Sequence, residues 1–122
     1  MITGTFNVTG AGFSGAPPTG VALYKYSPAA KLAWIFLPGI SGTSNSTSFS
    51  IGPLPSFLMP ASIASQQNVL EGFDNGTEQG PLASLILLAD SSIHYLKNGQ
   101  LTGWTASSTK GVGLQVLTLF LD

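Results

Sequence analysis

The chain has no cysteine and no arginine, one histidine, and only 4 lysines against 5 acidic residues in 122 positions. Without cysteine there are no disulfides, thiolate metal sites or cysteine nucleophiles. A single His94 removes the raw material for His-rich metal sites and for most imidazole catalysis. Charged residues make up 7% of the chain, against roughly 25% in an ordinary soluble domain. Four scattered lysines build no basic patch, so binding to nucleic acid through phosphate neutralisation is excluded. No acidic solvating tail is present. The longest uncharged apolar stretches, Leu32–Ile40, Leu82–Ala89 and Gly111–Leu121, fall well short of the roughly 18–20 residues of a membrane helix, so no membrane insertion is expected. Met1-Ile2-Thr3-Gly4 lacks the basic and apolar regions of an export signal.

What is present is small, neutral and hydroxylated: 15 Ser and 11 Thr beside 15 Gly and 8 Pro. Such a composition can mean disorder. Here, however, 43% of the residues are hydrophobic and they lie in discrete runs. The pattern predicts short strands joined by Gly/Pro/Ser turns, with a near-neutral surface that favours self-association.

The strands are read from period-two alternation. Ile2, Phe6 and Val8 alternate with Thr3, Thr5, Asn7 and Thr9. After a Gly/Pro-rich loop over 10–20, strands are expected at Val21–Tyr26 and Lys31–Leu37, as a hairpin turned at Ser27-Pro28-Ala29-Ala30. Further strands are expected at Ser46–Ile51, Gln66–Phe73, Gln100–Ala106 and Val112–Leu121, with Gly39–Asn45 as a loop. Asp74-Asn75-Gly76 is a hairpin signal, because a type I′ turn needs positive φ at both central residues. Residues 82–97 fit either a helical stripe or two strands, Leu82–Leu88 and Ser92–Lys97, with a turn at Asn98-Gly99; two strands agree better with the rest. The fold expected is therefore all-β, an antiparallel, jelly-roll-like β-sandwich of about eight to nine short strands. It forms one domain, with residues 1–20 as a strand plus loop and 21–122 as the main sandwich.

Three strands, at 31–37, 82–88 and 112–121, are apolar on both faces. A sandwich of this size has one interior, so the second faces predict a homo-oligomer with an apolar interface.

Candidate chemistry is sparse. Gly10-Ala11-Gly12-Phe13-Ser14-Gly15 matches G-x-G-x-x-G, but Ala16-Pro17-Pro18 follows where a dinucleotide site needs a helix. His94 with Asp90 lacks any marked serine. Glu71, Asp74 and Glu78 could serve as paired carboxylates on a polysaccharide, and the run 74–79 could hold calcium, although it lacks an EF-hand spacing. A solvated acidic hairpin is the plainer account, and no metal or cofactor is expected. Aromatic rings beside small polar groups suit sugars, which stack on a ring through their apolar face. The candidate ligand residues are Tyr24, Tyr26 and Trp104 for stacking, with Asp74 and Asn75 for hydrogen bonding to hydroxyls.

Three stretches together resemble a known family: Trp34–Ala61 (WIFLPGISGTSNSTSFSIGPLPSFLMPA), Asp74–Gly76 (DNG) and Gly103–Gly113 (GWTASSTKGVG). They are similar to the C-terminal β-domains of bacteriophage tail fibres and tailspikes, with Met59 where that pattern carries Arg. The resemblance implies a homotrimer at the tip of a longer fibre or spike, in the virion after synthesis in the host cytoplasm. It further implies non-enzymatic binding of host-surface carbohydrate or protein; the alternative it leaves open is a purely structural domain that trimerises or caps the fibre.

Overall fold

The alternation at the start of the chain becomes β1 (Ile2–Ala11) in the computed structural model, with Val8 fully buried and Thr3, Thr5, Asn7 and Thr9 exposed. Residues 1–60, 66–69, 72–79, 82–87, 90–97 and 100–121 are described. They form twelve strands and one 3₁₀ turn, Ser56–Leu58, with no α-helix among them.

Eleven further strands follow β1: β2 (Thr19–Ser27), β3 (Leu32–Leu37), β4 (Ile40–Thr43), β5 (Ser50–Gly52), β6 (Gln66–Val69), β7 (Gly72–Asp74), β8 (Thr77–Gln79), β9 (Leu82–Leu87), β10 (Ser92–Leu96), β11 (Thr109–Val112) and β12 (Gln115–Phe120). Eight of them make one sheet in the order β12-β3-β2-β1-β5-β10-β9-β6, and β4-β11-β7-β8 make the second. All pairings are antiparallel, so the expected all-β antiparallel sandwich is the observed one.

Local chemistry explains the turns. Between β2 and β3, Lys31 takes φ 52°. At the β7–β8 turn Asn75 and Gly76 take φ 54° and 73°, the two positive values that the Asn-Gly pair predicts. Leu82–Leu87 and Ser92–Leu96 are two strands paired Leu87 to Ser92 through Ala83 to Leu96. The helical reading fails because inward Leu82, Ser84 and Ile86 alternate at period two; the Asn98-Gly99 turn lies outside the described residues.

Several expected boundaries differ. Gly39–Asn45, read as a loop, contains β4, because Ile40 turns inward and pairs with Val112. Ser46–Ile51 is a strand only from Ser50 onward, since Ser46 and Ser48 bond to each other locally. Gln66–Phe73 supplies parts of two strands in different sheets. Gln100–Ala106 is not a strand; it is a loop pinned by Trp104 N–H on the Thr47 carbonyl (3.0 Å) and Ser44 Oγ on the Thr105 carbonyl (2.6 Å). These short elements raise the count to twelve.

The interior is a single cluster drawn from both sheets, including Ile35, Ile51, Ile86, Ile93 and Leu119 with Ile40 and Val112. At its centre Phe49 meets Phe13, Tyr95 and Trp104, with centroids 4.9–5.2 Å apart. Gln115 on β12 donates a hydrogen bond to the Tyr95 hydroxyl on β10, so the eight-stranded sheet curls far enough for distant strands to touch. Burial pushes the Tyr95 hydroxyl well above its ordinary pKa.

Of the three strands expected to be two-sided, β3 and β12 resolve into one buried and one open face, whereas on β9 Leu82 and Ile86 are buried and Ala83 and Leu85 half-buried. On β3, Ala33, Ile35 and Leu37 are buried while Leu32 and Trp34 are half-buried and Phe36 is exposed. On β12, Leu117 and Leu119 are buried while Val116 and Phe120 are exposed.

Candidate functional site

The expected ligand residues fall in two separate places. Tyr24 and Tyr26 project from β2 at one end of the sandwich and pack on Phe57, with centroids 5.3 and 6.0 Å away. Tyr24 also lies against Phe6 and over Gly4, where an added Cβ would come 2.5 Å from its hydroxyl. Both tyrosines are half-buried, and packing occupies much of their ring surface.

Asp74, Asn75 and Trp104 belong to the other place, and two of them turn inward. Trp104 is 2% exposed, and its indole N–H donates to the Tyr95 carbonyl at 3.0 Å. Its ring is core, which corrects the stacking role expected of it. Asp74 is also 2% exposed. It accepts hydrogen bonds from the Lys97 ammonium, the Thr105 hydroxyl (3.0 Å) and the Thr105 amide (3.1 Å). Burial raises its pKa, but the hydrogen bonds from Lys97 and Thr105 outweigh that and hold the carboxyl below its ordinary value. Asp74 therefore locks the 100–108 loop to β7, and at this burial its carboxylate is turned away from any ligand at the surface, unlike the hydroxyl-binding role expected of it. Asn75 sits exposed on the turn.

Among the described residues, Asp74 and Glu78 do not form a carboxylate pair. Phe73 faces Glu78 across β7–β8, and Asp74 faces Thr77. Successive strand residues point to opposite faces, so Glu78 looks outward while Asp74 looks inward; Glu71 lies outside the described residues. No group of three or more metal-ligating side chains occurs among the described residues. His94 and Asp90 do meet, Nε2 to Oδ2 at 2.8 Å, on an exposed turn. Burial raises the Asp90 pKa, but the hydrogen bonds from His94 and Ser92 and the His94 charge together outweigh it and hold the carboxyl below its usual value. The glycine-rich 10–15 segment leads into β2 and not into a helix, with Gly12 and Gly15 at positive φ and Phe13 in the core.

The four-stranded sheet holds a depression. One outward row runs Ser41–Gly111–Phe73–Glu78 across β4, β11, β7 and β8. The Phe73 ring reaches over Gly111, where an added Cβ would lie 2.9 Å from its Cζ. Four glycines, Gly39, Gly72, Gly76 and Gly113, line the depression together with Ile40 and Val112, leaving a groove of about 630 Å³. Its chemistry is an aromatic ring flanked by a hydroxyl and a carboxylate, with the Asn75-Gly76 turn at the rim. Alternation alone could have placed Phe73 and Glu78 on one face, but Ser41 and Gly111 arrive there through strand order, which spacing does not reveal.

No protein-family model matches the chain, and comparison with curated proteins finds no match.

Proposed function

We propose that this protein is a non-enzymatic glycan-binding domain, and that the groove over Phe73 is where the sugar sits. A pyranose stacks its apolar face on the Phe73 ring, while the Glu78 carboxylate accepts hydrogen bonds from its hydroxyls and the Ser41 hydroxyl donates to or accepts from them. The observation that carries the reading is the outward row Ser41–Gly111–Phe73–Glu78, in which the glycine lets the Phe73 ring lie across the neighbouring strand. The resemblance to phage fibre and spike tips supports a host-surface glycan as the target and three copies per assembly. Weak single sites then act together through avidity. The test is a glycan array of bacterial surface polysaccharides, probed with the wild type and Phe73→Ala. Binding that falls at least tenfold in the variant, with the β-sheet circular dichroism intact, supports the reading. Binding unaffected by Phe73→Ala, or no binding to any polysaccharide, sinks it.

A second reading is favoured by the exposed apolar face of the eight-stranded sheet. In it the domain trimerises or caps a fibre and has no ligand. Deleting the domain then abolishes assembly, whereas loss of a glycan site abolishes adsorption alone.

A further inference from the structure

The outer face of β2, β3 and β12 is apolar and uncovered. Register places Leu23, Phe36 and Val116 in one row across the three strands. Val21 on β2, Phe120 on β12 and Leu114 just before it share that side by the period-two rule. These six residues are between 36% (Phe36) and 78% (Leu114) exposed. At roughly 150–200 Å² per large apolar residue, they present about 600 Å² to solvent. That is at the top of the range for the largest patch on an ordinary monomer, about 300–600 Å². Half-buried Leu32 and Trp34 and the aliphatic stem of Lys25 extend it toward the roughly 800 Å² per partner of a standard stable interface.

Two details identify the occupant. First, the face carries both a knob and a hole. Phe120 and Leu114 stand out at the β12 side. On the β1–β3 side, Thr3, Leu23, Lys25 and Phe36 surround a depression of about 260 Å³, large enough for an aromatic ring. Second, Lys25 is the one charged residue in β1, β2, β3 and β12, and its ammonium lies 5.9 Å from the Phe36 ring centre. A surface of this kind meets its own copy with one charge per subunit, Lys25, whose ammonium lies against the Phe36 ring.

We propose that a second copy of this chain covers this face, with Phe120 of one subunit seated in the Leu23–Phe36 depression of the next. The inference gives a surface to the oligomeric part of the reading above and is independent of the glycan. Its face lies on the eight-stranded sheet, and the groove lies on the other.

The experiment is light scattering on the purified full chain over a dilution series, with Leu23→Glu, Phe120→Glu and Thr109→Glu beside the wild type. Circular dichroism reports the fold of each. The expected result is a wild-type dimer or closed ring, unchanged in Thr109→Glu on the opposite sheet. Leu23→Glu and Phe120→Glu shift the dissociation midpoint at least tenfold in concentration while keeping the β spectrum. A wild-type monomer at every concentration overturns the proposal, as does an oligomer that both face variants leave intact. Retained single-site glycan binding by a monomeric Leu23→Glu protein separates this outcome from failure of the groove.

Discussion

Lys110 and Asp74 stand directly opposite each other across β11 and β7, both turned into the sandwich, and each takes its hydrogen bonds elsewhere. The Lys110 ammonium donates to the carbonyls of Ser46 (3.0 Å) and Ser48 (2.7 Å) and lies over the Phe13 and Phe49 rings. The Asp74 carboxylate accepts from Lys97 and Thr105. These two buried charges hold the irregular 44–48 and 100–108 segments onto the second sheet, which is how so many short strands and loops stay in place.

Asp74 makes the fold acid-sensitive. Its folded pKa lies below the ordinary 3.8, so the unfolded state binds the proton first as pH falls. The stabilisation is complete above about pH 5 and is lost as pH falls through 3.8 and then through the folded value. Asp74→Asn costs about 2 kcal/mol at neutral pH, less than a fully buried pair because Lys97 keeps some exposure. It also flattens the acid limb. Urea midpoints between pH 3 and 7 measure both effects.

Lys110 acts in the opposite pH range. Burial lowers its pKa from 10.5 to about 8, although Asp74 pulls it back upward. Between these values the unfolded chain holds a proton that the folded one has released, so stability rises with pH from about 8 to 10.5. The gain is at most about 3 kcal/mol. Lys110→Met removes that rise and costs about 1–3 kcal/mol at pH 7, because the Ser46 and Ser48 carbonyls lose their donor. Denaturant midpoints at pH 7 and 10 for both proteins decide it.

Trp104→Phe loses the indole hydrogen bond to Tyr95 and leaves a cavity against Phe49. The expected destabilisation is about 2–3 kcal/mol, with glycan affinity of the folded protein unchanged. A tenfold loss of affinity at full stability would return Trp104 to the binding site.

Gly76→Ala tests the hairpin. At φ 73° an added methyl meets only the Thr109 hydroxyl at 3.8 Å, so the cost is conformational, about 1 kcal/mol. Thermal unfolding is expected to shift by a few degrees. Because the turn forms the groove rim, glycan affinity moves with it.

Much of the fold is legible in the order of residues because strand alternation and turn chemistry act over short distances. Ile2, Phe6 and Val8 against four polar residues specify β1. Asn75-Gly76 specifies its turn, since few other pairs accept two positive φ angles. The uncharged second faces of β3 and β12 were equally readable. Proximity was not. Trp104 beside Ser and Thr looks exposed along the chain, and Asp74 beside Asn-Gly looks like a solvated turn residue. Both are core because the 100–108 loop folds across β7 and the centre of the sandwich. Ser41 and Gly111 lie far along the chain from Phe73 and Glu78, and only the pairing of β4, β11 and β7 sets them in one row. The residues by themselves determined an all-β chain with more apolar surface than one interior can hold. The tertiary structure decided which aromatic and acidic side chains face solvent, because burial depends on which strands become neighbours and not on what stands next in the chain.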